Sequence, residues 1–167
     1  EVEKNFSSAI RAAHQAEIEF KTGLGDIMAI STALREHTFP AIVIREKPGY
    51  NGRVKIHPLK EDFLLCISGM GRDTSEIITD AKWTEIINSA ALGIKINNIN
   101  LRSAIQIGRL FTEKTGLMTD LSTEILTELP LGSVATVAHL GTSIVATSEN
   151  LVELGSLLET FGEVRKY

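Results

Sequence analysis

From Phe6 to Lys21 the run FSSAIRAAHQAEIEFK sets Ile10, Ala13, Glu17 and Phe20 at steps of three and four, the spacing of one helical face. Ser7 or Ser8 is placed to cap the start of that helix. The face is narrow and rich in alanine, which suits close packing. Thr22-Gly23 ends it, because glycine enters the left-handed conformation of a C-terminal cap without steric cost. Asp26 then precedes IMAISTALRE, where a carboxylate accepts from the first unpaired N–H groups of a second helix. TGLGD therefore reads as a joint between two helices. FPAIVIREK is rich in β-branched residues and runs into PGYNG, a turn signal, beyond which RVKIHP alternates as a second strand. DFLLCIS is continuously apolar and short enough to be a buried strand. Three strands in succession predict an antiparallel arrangement.

GMGRDT interrupts the strands, and from Thr74 to Pro130 only helical periodicities occur: SEIITDAKWTEIINSAALG, NLRSAIQIGRLFTEKTG and TDLSTEILTEL. The last opens on a weak capping-box signal, Thr119 with Ser122. GSVATVAHLGTSIVATS predicts two short strands around Gly141, SENLVELGSLLETFG an amphipathic helix, and EVRKY a terminal strand that closes the sheet. The order is helices, three strands, helices, two strands, helix, strand. Segregated runs of this kind predict an α+β fold, mainly antiparallel sheet packed with helices, and not alternating βαβ units. The chain shows no internal repeat, low-complexity segment or linker.

Composition narrows the function classes. At 167 residues the chain can bury one sizeable core, as a single domain or as part of a larger one. Hydrophobic residues at 43% and charged residues at 23% place it with soluble globular proteins. No apolar run approaches the roughly 18 residues that span a bilayer, so no membrane partner is expected. A formal net charge of −4 leaves no basic footprint for nucleic acid. Cys66 is the sole cysteine, which excludes an intrachain disulfide and a CxxC metal clip. Within FLLCISG it reads as a buried strand thiol in a reducing, cytoplasmic compartment. The chain opens on Glu1 with no methionine or signal-like segment, so its start is expected to be set by cleavage or by where the chain was cut.

His14, Glu17 and Lys21 fall on one helix face. Glu17 with Lys21 makes a plain i,i+4 ion pair, and Asp26 a plain helix cap; spacing alone favours those readings. The chemical alternative is that a glycine-lined turn brings the Glu17 and Asp26 carboxylates together with His14 on the same side. Phosphoryl transfer uses such a set, because Mg²⁺ takes hard oxygen ligands and the attacking hydroxyl needs an acceptor. Gly23 and Gly25 match neither a Walker nor a Rossmann pattern. Arg45, at a strand end, could clamp a carboxylate or be solvated. Thr74 is most simply a helix N-cap. His57 precedes a proline, and His37 and His139 lack acidic or cysteine neighbours at ligand spacing, so no transition-metal site is assigned.

Taken together, AAHQAEIEFKTGLGDIMA, IVIREKPGYNG, TSEII at 74–78 and VAHLGTSIVA resemble the archaeal pantoate kinases of the GHMP kinase superfamily. The specific part is AHxAE followed by TGLGD. The resemblance covers most of the chain but matches only the C-terminal portion of such an enzyme. The glycine- and serine-rich loop that carries the nucleotide phosphates belongs to the preceding half. The resemblance implies a GHMP-kinase-like C-terminal portion of an enzyme that uses ATP and Mg²⁺ to phosphorylate pantoate in coenzyme A biosynthesis. By position it makes Glu17 the metal ligand and Asp26 the catalytic residue beside the attacking hydroxyl. His14, Arg45 and Thr74 become pantoate contacts, and the hairpin around Gly141 the third motif of the superfamily.

It also implies the missing N-terminal half as a partner, an isolated chain that is inactive, and an uncovered face of Ile10, Ala13 and neighbours that invites a homodimer. The chain departs from the family where Phe39-Pro40-Ala41 replaces a Gly-Gly pair, where GMGRDT replaces Gly-Pro-Ile before Thr74, and where His139 replaces methionine. These departures touch the substrate pocket and leave Glu17 and Asp26 intact. Two rival readings are another GHMP kinase acting on a mevalonate-like hydroxy acid, and a non-catalytic binding or assembly module.

Overall fold

A computed structural model describes residues 2–20, 26–35, 40–45, 54–69, 73–96, 98–138, 140 and 143–167, and for residues 2–5, 7, 26 and 45 the main chain alone. The joint at 21–25, the PGYNG turn, the loop at 70–72, His37, His139 and Gly141 lie outside the described residues. The chain divides into two compact units, Glu1–Lys60 and Glu61–Tyr167.

The first unit holds two helices and a hairpin. Helix α1 spans Val2–Phe20 and α2 spans Asp26–Arg35. The start of α1 lies ahead of the Ser7/Ser8 cap that the sequence suggests, and both serines are inside the helix. The preceding Glu3 and Lys4 are strong helix formers, so nothing local stops the helix before them. Strands β1 (Ala41–Arg45) and β2 (Val54–Pro58) pair antiparallel, with Val43 opposite Ile56 and Arg45 opposite Val54. Helix α2 packs against α1 and against both strands. Ile10 and Ala13 are half-buried, whereas Ile18 and Phe20 are exposed.

The second unit is a four-stranded sheet between helices. Its strands are β3 (Leu64–Ile67), β4 (Val134–Val137), β5 (Ile144–Thr147) and β6 (Glu163–Lys166), in the order β4-β5-β3-β6 with every pair antiparallel. The third strand of the sequence therefore does not extend the β1–β2 hairpin. It sits in the second sheet, because Leu64 and Cys66 are buried there against Ile144, Ala146 and the helices that cover them. The segment 75–93 forms two helices where the periodicity alone suggests one: α3 (Thr74–Thr79) and α4 (Ala81–Leu92). Asp80 separates them. Its backbone is extended and its carboxylate accepts from the Lys82 N–H at 2.7 Å, so it ends one helix and caps the next.

Helix α5 (Leu101–Thr115) is capped by Asn100 and Ser103 and ended by Gly116 at φ 67°. Helix α6 (Asp120–Glu128) starts on the Thr119–Ser122 capping box, with both reciprocal bonds formed. Helix α7 (Leu151–Leu158) starts from Asn150. The alternation of β4 and β5 sends Ala135, Val137, Ile144 and Ala146 to the face covered by Ile125, Leu154 and Leu158. Helix α5 lies over the opposite face, where Gly108 meets Thr136 so closely that a Cβ would come within 2.9 Å of its hydroxyl oxygen.

Strand β6 closes the sheet, as the terminal EVRKY predicts. Phe63 and Tyr167 exchange both backbone hydrogen bonds and stack their rings at 5.3 Å. Just before β6, Gly162 passes so near the chain of β3 that a Cβ on it would collide with the Ile67 carbonyl oxygen. No helix among the described residues is long and apolar enough to cross a membrane.

Two measurements check this packing. Gly162→Ala, which drives a methyl into main chain, is expected to lower the unfolding free energy by about 3 kcal/mol. Gly116→Ala, left-handed but in open space, is expected to cost about 1 kcal/mol; equal losses in urea denaturation would refute the close approach. Cys66 is fully buried, its Sγ 3.4 Å from the Leu158 carbonyl oxygen, and burial pushes its thiol above the ordinary value. An aromatic disulfide reagent is expected to leave it unmodified in the native chain and to label it on unfolding. Rapid labelling of the folded protein would place it at the surface.

Candidate functional site

In the first unit His14 and the first turn of α2 meet at the carboxylate of Glu17. One helical turn separates His14 from Glu17 along α1, and the imidazole Nδ1 lies 3.0 Å from Glu17 Oε2. His14 is 2% exposed and the Glu17 side chain 12% exposed, so the pair is largely removed from water. The second oxygen, Oε1, accepts from the Ile27 N–H at 3.4 Å. Ile27 follows Asp26, the first residue of α2. Glu17 thus serves as an acceptor for the first turn of α2, in the manner of a capping side chain supplied by another helix. A carboxylate there also meets the partial positive charge of the helix start.

This arrangement answers part of the sequence reading. His14 and Glu17 share a side of α1, and the N–H of Ile27, the residue after Asp26, is brought to the Glu17 carboxylate. The Asp26 side chain lies outside the description, as does Lys21, the other member of the plain ion-pair reading. Arg45 is the last residue of β1, opposite Val54; its side chain is likewise outside the description. Behind the first turn of α2, Ser31 and Thr32 are buried, and their hydroxyls donate to the Met28 carbonyl at 3.3 and 2.6 Å. The sequence reading passed over both residues, since hydroxyls bonded within their own helix leave no motif.

Thr74 lies in the second unit as the first residue of α3, half-buried. It is not the N-cap. Asp73 holds that role, accepting from the Ser75 N–H at 2.8 Å and the Ser75 hydroxyl at 2.7 Å. Those two bonds hold the Asp73 carboxyl below the usual aspartate range. The signal was present in RDTSEI, where Asp73 stands three residues ahead of Glu76. With the cap supplied by its neighbour, the Thr74 hydroxyl is not required by the helix start.

Among the described residues no group of three or more histidine, cysteine or acidic side chains could hold a metal ion by itself. Glu17 offers a single carboxylate. That suits Mg²⁺, which commonly takes one or two protein carboxylates and completes its shell with phosphate oxygens and water. It does not suit a closed transition-metal cage.

Comparison with known proteins gives these residues a context. No family model matches the chain. A pantoate kinase of Methanocaldococcus jannaschii is 28% identical over 153 residues, covering 88% of this chain and 54% of that protein. A pantoate kinase of Thermococcus kodakarensis is 30% identical over 125 residues, covering 72% of this chain and 39% of that protein. Among solved structures, a phosphotransferase related to the CoA biosynthesis pathway aligns over 95% of this chain and 53% of its own with a TM-score of 0.55 at 20% identity. That likeness shows a shared fold, α+β with antiparallel sheets packed against helices. The chain spans about half the length of the curated relatives it matches, and by sequence it is similar to archaeal pantoate kinases.

Proposed function

We propose that this chain is the C-terminal part of an ATP- and Mg²⁺-dependent kinase of the GHMP type that phosphorylates the hydroxyl of pantoate. The observation that carries the proposal is the Glu17 carboxylate, seated between His14 and the first turn of α2 within the AHxAE…TGLGD run. Similarity to pantoate kinases over 88% and 72% of the chain supports it. The nucleotide loop is assigned to a preceding half that the chain as given does not include, and the chain alone is expected to be inactive.

The division of labour follows from the chemistry of each side chain. Glu17 is the residue that holds Mg²⁺, and its oxygen toward Ile27, bonded at 3.4 Å, is the more weakly held of the two. The metal, when bound, neutralises charge on the nucleotide phosphates. His14 keeps the Glu17 carboxylate in one orientation through its 3.0 Å bond, besides the pantoate contact that the resemblance gives it. Asp26 accepts the proton of the attacking hydroxyl or orients it. Arg45 supplies a planar, two-pronged donor for the pantoate carboxylate, and Thr74 a hydroxyl for its polar groups. Transfer then rests on positioning and charge stabilisation, with no covalent step on the protein.

The test is a phosphoryl-transfer assay on the polypeptide as its gene encodes it. Asp26→Ala is expected to lower kcat by about 10²–10⁴-fold with an unchanged melting temperature; near-normal turnover would remove Asp26 from the mechanism. Glu17→Gln keeps an acceptor for Ile27 but loses the charge, so it is expected to raise the Mg²⁺ concentration needed for activity. Pantoate is expected to be the better acceptor when compared with mevalonate. The reverse preference would move the substrate to a mevalonate-like acid. If neither Mg²⁺-ATP nor pantoate raises the melting temperature, the chain belongs to a binding or assembly module.

A further inference from the structure

A cleft of about 340 Å³ opens in the second unit along the start of β4, between α5 on one face of the sheet and α6 on the other. It lies at the end of β4 away from the β4–β5 turn, and nothing in the proposed kinase chemistry uses it. Its walls are Leu126, Leu129 and Pro130 on the apolar side, with Gln106 and Arg109 of α5 facing the loop 129–135. The loop is fixed by a bond of its own and by one from α5. Ser133 N–H donates to the Pro130 carbonyl at 3.1 Å, Arg102 Nη2 donates to the Gly132 carbonyl at 2.9 Å, and Gly132 takes φ 84°, which a side chain would disfavour.

Two polar groups here are not used up by the fold. Ser133 Oγ is buried with no hydrogen-bond partner among the described residues. A buried hydroxyl left unpaired is costly, and because this oxygen has almost no surface of its own, a turn of the Ser133 side chain to another rotamer is what presents it to an acceptor in the cleft. Arg109, the only charged residue of the lining, binds Glu113 through Nε at 2.5 Å. Its two Nη groups have no partner among the described residues, so the outer prongs of the fork remain for a ligand. One guanidinium partly balanced by Glu113 favours a monoanion over a dianion, and its planar fork fits a carboxylate. The apolar wall opposite has room for a short hydrocarbon. We infer that this cleft binds a small monocarboxylate bearing an apolar chain, with its carboxylate on Arg109 and Ser133 and its chain against Leu126, Leu129 and Pro130.

The inference does not depend on the kinase reading and is tested on the polypeptide as its gene encodes it. Hexanoate is titrated into ¹⁵N-labelled protein, with hexan-1-ol and inorganic phosphate as comparison probes. Saturable shifts of the amides of Leu131–Ala135 are expected with hexanoate and much weaker ones with the other two. Arg109→Gln is expected to weaken hexanoate binding by about tenfold or more, one charge-assisted hydrogen bond. Ser133→Ala, a milder change to the fold, is expected to weaken it to a smaller degree. Absence of saturable shifts, shifts confined to other parts of the chain, or equal binding of the alcohol would overturn the site. Equal binding of phosphate would overturn its assignment to a carboxylate, and unaltered binding by both variants would overturn the residues named.

Discussion

Strand β3 is the constraint on which the second unit depends. It pairs with β5 on one side and β6 on the other, so its backbone bonds and its buried residues Leu64 and Cys66 are satisfied only by segments far along the chain. Sequence neighbours cannot replace them. The β1–β2 hairpin is complete by local pairing, while β3 contributes nothing until the hairpin at 134–147 and the terminal strand have come back to it. Such non-local pairing pays its loop-closure entropy before the core repays it. The contacts that make the return specific are small: Gly162 against the Ile67 carbonyl, and Gly108 against Thr136.

Most elements were legible because local chemistry marked them. Asn100 and Gly116 bracket α5, Thr119 with Ser122 opens α6, and the apolar alternation of 134–147 gives the β4–β5 hairpin. What escaped the pattern was decided by competition. The period of 75–93 is helical throughout, yet Asp80 uses its side chain to cap Lys82 and breaks the run in two. The apolar run of DFLLCIS says that a strand is buried but not which sheet buries it. Partner choice came from the complementary faces of β5 and β6, which no local window contains.

The candidate site was legible as spacing and incomplete as geometry. A three-residue step predicted that His14 and Glu17 would share a face, and the 3.0 Å bond follows from it. The Ile27 N–H could not be read from spacing, because it reaches Glu17 across a change of helix. This bond makes Glu17 part of the fold as well as a candidate ligand, since the carboxylate that would meet a cation also meets the start of α2. The same economy appears in α3, where Asp73 takes the cap and releases Thr74 from it.

The backbone bonds between Phe63 and Tyr167 place the two ends of the second unit side by side at one end of the β3–β6 ladder. Strands joined in that orientation resist force poorly. A pull on the last residue against the chain that leads into β3 loads the ladder one rung at a time, from Tyr167 inward, and not all rungs together in shear. Force applied to β6 in that direction would therefore meet little mechanical resistance, and stripping β6 would leave β3 as an edge strand with its backbone groups unpaired on that side.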